Sequence, residues 1–182
     1  MNDATIKIPA ELFAIAESSH FEGQLKFDVL MAGFDEYRFS TPVTWDVEVT
    51  NTGDALLIMG RAYGVASTQC ARCLEDVEYD LDGSIEGYFL INDESAVPDD
   101  MEGDEFDVLP ENHIIDLAPL IEAALIVDAP EIPLCSGDCK GLCPECGANL
   151  NDGDCGCKNE ELEEFEEAKN PFSVLKGLPF EE

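Results

Sequence analysis

The clearest pattern in the chain is a period of two. Val43, Trp45, Val47 and Val49 alternate with Thr44, Asp46, Glu48 and Thr50, which gives an extended segment one apolar and one polar face. Asn51-Thr52-Gly53-Asp54 then supplies hairpin turn chemistry. A returning strand is predicted through Leu56-Leu57-Ile58-Met59, with a bulge at Gly60, continuing to about Thr68. After Cys70-Ala71-Arg72-Cys73 the alternation resumes. Val77, Tyr79, Leu81, Ile85, Phe89 and Ile91 fall on one face, and Glu78, Asp80, Asp82, Ser84 and Glu86 on the other. The two cysteines therefore belong at the turn between antiparallel strands. Upstream, 24–30 reads as a strand through Leu25, Phe27 and Val29, and a helix is expected from Pro9 with Leu12, Phe13 and Ala16 on one face. Four or five such strands predict an antiparallel β meander or partly closed barrel with one acidic face.

The period then changes. Asp116 is placed to cap a helix burying Leu117, Leu120, Ile121, Ala124 and Leu125, an i, i+3, i+4, i+7, i+8 stripe that Pro130 and Pro133 end. Residues 92–107 lack periodicity and read as a mobile acidic loop. An acidic helix is expected over 160–168, followed by the apolar plug Asn170-Pro171-Phe172-Ser173-Val174-Leu175, suited to docking. The fold class is thus α+β, with a few helices beside the sheet.

Charge changes what the chain is expected to bind. Among 182 residues there are 41 acids and 9 Lys or Arg, a formal charge of −32, with 45% hydrophobic residues. That apolar content supports a core, so the charge does not imply global disorder. Broad binding to a nucleic-acid backbone needs clustered bases, and no such cluster is present. DNA is not expected as a partner, and RNA contact is expected only locally. No apolar run approaches the ~20 residues that span a bilayer, and Met1-Asn2-Asp3 does not resemble a signal start. A soluble, cytoplasmic protein without a membrane partner is expected. The acids concentrate in 92–107 (eight, no bases) and 159–182 (net −6), whereas 135–158 nets only −2.

Eight cysteines in such a chain point to metal before disulfide. Cys143-Pro144-Glu145-Cys146-Gly147 puts two thiolates on one tight turn, and Cys155-Gly156-Cys157 returns eight residues after it. These four thiolates can close a tetrahedral zinc site, forming a small zinc knuckle. Cys70, Cys73, Cys135 and Cys139 are candidates for a second site that staples the knuckle onto the sheet. The spacing also allows the two CxxC pairs to share one metal. One or two structural Zn2+ ions are expected. His20 and His113 stand alone and are not expected to be ligands. If eight thiolates held two zinc ions, the charge would move from −32 to −36.

Other cysteine chemistries fit less well. Cys139, Cys143 and Cys146 match the spacing of a radical-SAM cluster, but the large barrel this chemistry needs cannot fit in the residues that follow. Neither CxxC opens a helix in a βαβ unit, as a reactive thioredoxin-like pair requires. No phosphate-binding loop, nucleophile elbow or dinucleotide fingerprint is present. Four cysteine ligands leave zinc no open position for water, so no catalytic residue and no enzyme activity are expected.

Longer stretches resemble a known family. Thr68-Gln69-Cys70-Ala71-Arg72-Cys73-Leu74, the strand ending Gly87-Tyr88-Phe89-Leu90, and the helix opening Ile115-Asp116-Leu117 with its proline exit resemble the YceD family of large ribosomal RNA subunit accumulation proteins. Leu134-Cys135-Ser136-Gly137-Asp138-Cys139-Lys140-Gly141-Leu142-Cys143 and its continuation through Asn151 resemble that family's cysteine-rich branch, and Asn170-Pro171-Phe172 resembles its ending. The resemblance covers most of 20–176; the tail beyond Gly177 and the acidic 92–107 loop lie outside it. It implies a non-enzymatic role in large-subunit rRNA accumulation or processing and ribosome biogenesis.

The chain divides, on this reading, into an α+β core at 1–134, a zinc knuckle at 135–158, and an acidic helix with docking tail at 159–182. Its acidic surface would suit an adaptor for the pre-ribosomal large subunit, basic ribosomal proteins or rRNA-processing enzymes. Arg72, Lys140 and Lys158, beside the cysteines, are candidate local rRNA contacts. The alternative function is a zinc-thiolate redox or metal sensor.

Overall fold

A computed structural model describes residues 4–92 and 106–157. Most of the 92–107 loop, the 159–182 helix and tail, and Lys158 lie outside the described residues. The elements run β1 (Thr5–Lys7), a 3-10 turn (Ala10–Phe13), β2 (Ser18–Leu25), β3 (Val29–Ala32), β4 (Asp35–Phe39), β5 (Val43–Asn51), β6 (Ala55–Gln69), β7 (Asp76–Leu90), β8 (Asp107–Val108), β9 (Ile114–Asp116) and α1 (Ala118–Asp128). The class is α+β, dominated by antiparallel sheet.

The 15-residue strands β6 and β7 form the spine, paired in unbroken register from Ala55↔Leu90 to Gln69↔Asp76. Along its other edge, β6 pairs first with β5 and then, near its end, with β4. The seven-stranded sheet runs β2-β5-β6-β4-β3, with β7 on the far side of β6 and β8 added in parallel to β7. It stays open rather than closing into a barrel. The inner face carries Val43, Trp45, Val47 and Val49 from β5, Leu56 and Ile58 from β6, and Leu81, Ile85 and Phe89 from β7. α1 packs there with Ile121, Ala124 and Leu125, beside the small β1–β9 sheet. Burying each large apolar side chain contributes roughly 1.5–3 kcal/mol, so the alternation on β5 and β7 commits one face of the sheet to this core. Among the described residues, no helix is long and apolar enough to cross a membrane.

Four local expectations are corrected. The helix after Pro9 is a single 3-10 turn, because Ala14 is already extended and the Ala16 N–H bonds to the Asn51 carbonyl (2.9 Å). The 24–30 strand is interrupted at 26–28, and β3 turns Leu30 inward and Val29 outward. No bulge occurs at Gly60, which holds register with Val47 on one side and Ile85 on the other. A Cβ there would collide with the Asp46 carbonyl, so the glycine permits close strand approach. Leu117 occupies the N-cap position of α1, while the Asp116 carboxylate accepts the Ala118 N–H at 3.0 Å. The hairpin turn after β5 is as expected: Asn51 Oδ1 accepts the Gly53 N–H at 2.7 Å.

Candidate metal centre

The hairpin between β6 and β7 ends in Cys70-Ala71-Arg72-Cys73. The Leu74 N–H donates to the Cys70 carbonyl (2.9 Å), and the Cys70 N–H donates to the Glu75 carbonyl (2.8 Å). Leu74 takes a left-handed φ of 62°. Cys143-Pro144-Glu145-Cys146 repeats this construction. The Gly147 N–H donates to the Cys143 carbonyl, the Cys143 N–H donates to the Ala148 carbonyl, both at 2.8 Å, and Gly147 has φ 73°. The two CxxC segments are therefore the same knuckle, one at the end of the long hairpin and one in the cysteine-rich segment.

The knuckles do not share a centre. Cys70 and Cys73 meet Cys135 and Cys139, whereas Cys143 and Cys146 meet Cys155 and Cys157, with the sulfur atoms of each group lying within 4.8 Å of one another. In the first cluster, Cys70 Sγ is 3.8 Å from Cys139 Sγ, and Cys73 Sγ is 3.6 Å from Cys135 Sγ. Tetrahedral bonds of ~2.3 Å to one ion separate sulfurs by ~3.8 Å, whereas a disulfide needs ~2.05 Å. All eight cysteines are free. Each cluster can thus hold one metal ion through four sulfurs. His20 lies elsewhere, 3.9 Å from Glu22, and the His113 ring sits against Phe13 at 4.9 Å.

Backbone amides prepare one thiolate in each cluster. The Cys73 amide, helped by those of Cys135 and Arg72, outweighs burial and holds the Cys70 thiol down at about 6. The amides of Cys146 and Glu145 hold Cys143 at about 7. The Asn151 side chain, 3.3 Å from Cys139 Sγ, lowers Cys139. The companions resist. The Glu75 amide favours the Cys73 thiolate, but burial and the surrounding sulfurs outweigh it and push the thiol to about 12. Cys157 is driven to about 12 by Cys146 and Cys155. Like charges so close cannot all form unaided; a dication removes that conflict and displaces the remaining protons.

The first cluster is tied into the sheet. Tyr79, on β7, accepts the Leu134 N–H at 2.7 Å and donates to the Leu134 carbonyl at 2.8 Å, fixing the segment that carries Cys135. The Tyr37 hydroxyl donates to the Pro130 carbonyl at 3.0 Å. The second cluster joins the first through one backbone and one side-chain bond: Leu142 N–H donates to the Arg72 carbonyl (3.1 Å), and Asn149 Nδ2 donates to the Glu75 carboxylate (2.9 Å). Of the candidate RNA contacts, Arg72 directs its guanidinium to the Cys139 carbonyl (2.9 Å), and Lys140 is exposed. Sequence reading missed Tyr79 and Asn151. Tyr79 reads as one more apolar position of β7, and Asn151 as turn chemistry; only their long-range partners reveal what they hold.

A family model described as "Large ribosomal RNA subunit accumulation protein YceD" matches residues 58–179, a stretch that contains both clusters. The chain belongs to the YceD family. The chain is also 27% identical over 142 residues to an uncharacterized protein of Mycobacterium tuberculosis, covering 78% of this chain and 65% of that relative. An uncharacterized Mycobacterium leprae protein is 27% identical over 121 residues, covering 62% of this chain and 51% of the relative. A plant member is the Arabidopsis thaliana "Large ribosomal RNA subunit accumulation protein YCED homolog 1, chloroplastic", 27% identical over 151 residues, 69% of this chain and 47% of its own length. The chain therefore spans less than two thirds of the curated relatives it matches. No solved structure matches it.

Proposed function

We propose that this protein is a non-catalytic, zinc-stabilised adaptor in the accumulation of large-subunit rRNA, bringing basic ribosomal proteins or rRNA-processing enzymes to the pre-ribosomal large subunit. The family match over 58–179 carries this reading. Two further features support it. Both clusters offer four cysteine sulfurs, a set that saturates tetrahedral zinc and gives a structural rather than a hydrolytic site. The charge of −32 favours a basic partner over bare RNA, so any rRNA contact is local, beside the clusters at Arg72, Lys140 and Lys158.

Gradient sedimentation with RNase treatment tests the reading. The protein should travel with large-subunit precursors, and its depletion should lower large-subunit rRNA relative to small-subunit rRNA. Association that survives RNase would place protein contacts first. Free sedimentation with normal rRNA levels would sink the proposal.

A further inference from the structure

One groove is built as strands and helices are when they receive a guest strand. We propose that the outer edge of β7, with the adjoining face of α1, binds an extended segment of a basic partner protein as an added strand. The inference rests on the preceding reading in one respect, that the partner is a basic protein.

Over residues 76–88, β7 pairs with β6 on one edge, and among the described residues no strand pairs with the other. The Asp82 N–H is turned to this outer edge, where the Asp128 carboxylate accepts it at 2.7 Å. The Leu90 carbonyl is also turned outward, accepting the Leu109 N–H at 2.8 Å beside β8. An antiparallel ladder alternates its bonding direction at every residue. Ser84 and Glu86 therefore also aim their backbone N–H and C=O at this edge, between a carboxylate that blunts it and a short strand that already uses it.

The opposite wall is apolar. A groove of about 420 Å³ lies between this edge and Leu120, Ala123 and Val127 of α1. Gly83 makes the wall close: a Cβ there would meet the Ala124 backbone. The 11-residue helix carries only Glu122 and Asp128 as charges, and Val127 is 86% exposed. A helix apolar on nearly every face is expected to be covered on nearly every face. Backbone groups on one side and apolar side chains on the other are the two elements of strand addition: ladder bonds supply affinity, and alternate side chains supply specificity.

Charge selects the occupant. Glu86 and Asp128 line the rim, and Asp82 is already engaged by two hydrogen bonds from Arg61 (2.8 and 2.7 Å). The chain's own 93–105 segment has seven acids and no base, and a second copy brings another −32; neither complements an acidic rim. An extended segment alternating apolar residues toward α1 with Lys or Arg toward the rim fits.

The test uses the full-length, metal-loaded protein and a blocked octapeptide alternating Val with Lys and Arg. Amide exchange at Ser84 and Glu86 should slow at least tenfold with peptide present. Ser84→Pro removes an outward donor without touching the β6 ladder, and Val127→Lys charges the wall at an exposed site; each should weaken binding at least tenfold. The same peptide with Glu for Lys and Arg should also bind at least tenfold more weakly. Protection absent from Ser84 and Glu86, or undiminished binding by both variants, overturns the proposal. If co-sedimentation with large-subunit precursors persists in that event, the groove alone fails; peptide binding without co-sedimentation would overturn the ribosomal reading and leave the groove standing.

Discussion

The two cysteine clusters begin with the same knuckle and finish it in opposite ways. The first takes its other ligands from 62 and 69 residues away along the chain, and three of its four cysteines are buried. The second draws every ligand from the 15 residues 143–157, and only Cys143 is buried. Similar ligand chemistry thus does two jobs. A metal in the first cluster closes a long loop, and the closure entropy it removes from the unfolded chain grows with loop length. A metal in the second organises a short local segment that has little core of its own.

The sharpest way to break this comparison is to remove one ligand from each cluster. Cys139→Ser should release one metal equivalent, detach 135–139 from the β6–β7 hairpin, and lower global stability by more than ~4 kcal/mol, the range reserved for loss of a metal or buried network. Cys155→Ser should also release one equivalent, yet cost the sheet about 1 kcal/mol or less, because the β6–β7 hairpin supplies no ligand to that cluster. Metal analysis and thermal unfolding read both. Equal losses of stability would show that the clusters are one cooperative unit.

The tyrosines offer a finer test. Tyr79→Phe keeps the ring but removes both hydrogen bonds to Leu134, at ~0.5–1.5 kcal/mol each. It should weaken metal binding at the first cluster roughly tenfold, since each ~1.4 kcal/mol is tenfold, and leave the second unchanged. Competition with a chelator measures both. Tyr37 adds a pH dependence. Burial, with the charge of Asp35, raises its pKa to about 12. The folded protein keeps this proton where the unfolded chain, near pH 10, loses it. Its contribution is complete below pH 10 and falls as pH rises toward 12. Tyr37→Phe should flatten that alkaline decline in denaturant titrations.

These tests separate what local sequence encodes from what only the fold supplies. The alternation on β5 and β7 was legible because a period of two commits each side chain to a face whatever the partner strand is. The cysteine groupings follow from where long strands end, since β6 and β7 carry Cys70 and Cys73 to the segment leaving α1. Spacing alone left two partitions open, because ligands distant in sequence meet only after the hairpin and helix pack. The false helix after Pro9 has the same origin. Leu12, Phe13 and Ala16 can share one helical face, but the Asn51 side chain donates to the Leu12 carbonyl at 2.8 Å, and β2 begins at Ser18. Tertiary hydrogen bonds outweighed local preference.

The smallest predicted effect isolates the left-handed position that closes the shared turn, where the two knuckles carry different residues. Leu74 and Gly147 hold equivalent left-handed positions, at φ 62° and 73°. A side chain there costs about 1–2 kcal/mol, whereas glycine avoids that strain but loses more entropy on folding. At Gly147 a Cβ would meet nothing within 4 Å, so any cost of Gly147→Ala is conformational. Partly offset by a stiffer unfolded chain, it should come to ~1 kcal/mol and weaken metal binding at the second cluster about fivefold. Leu74→Gly relieves strain at a residue 56% exposed, loses little packing, and pays back roughly the same amount in entropy. First-cluster affinity should therefore stay within about twofold. A large loss on Leu74→Gly would mean that this side chain, unlike its counterpart in the second knuckle, contributes packing that stabilises the stapled cluster.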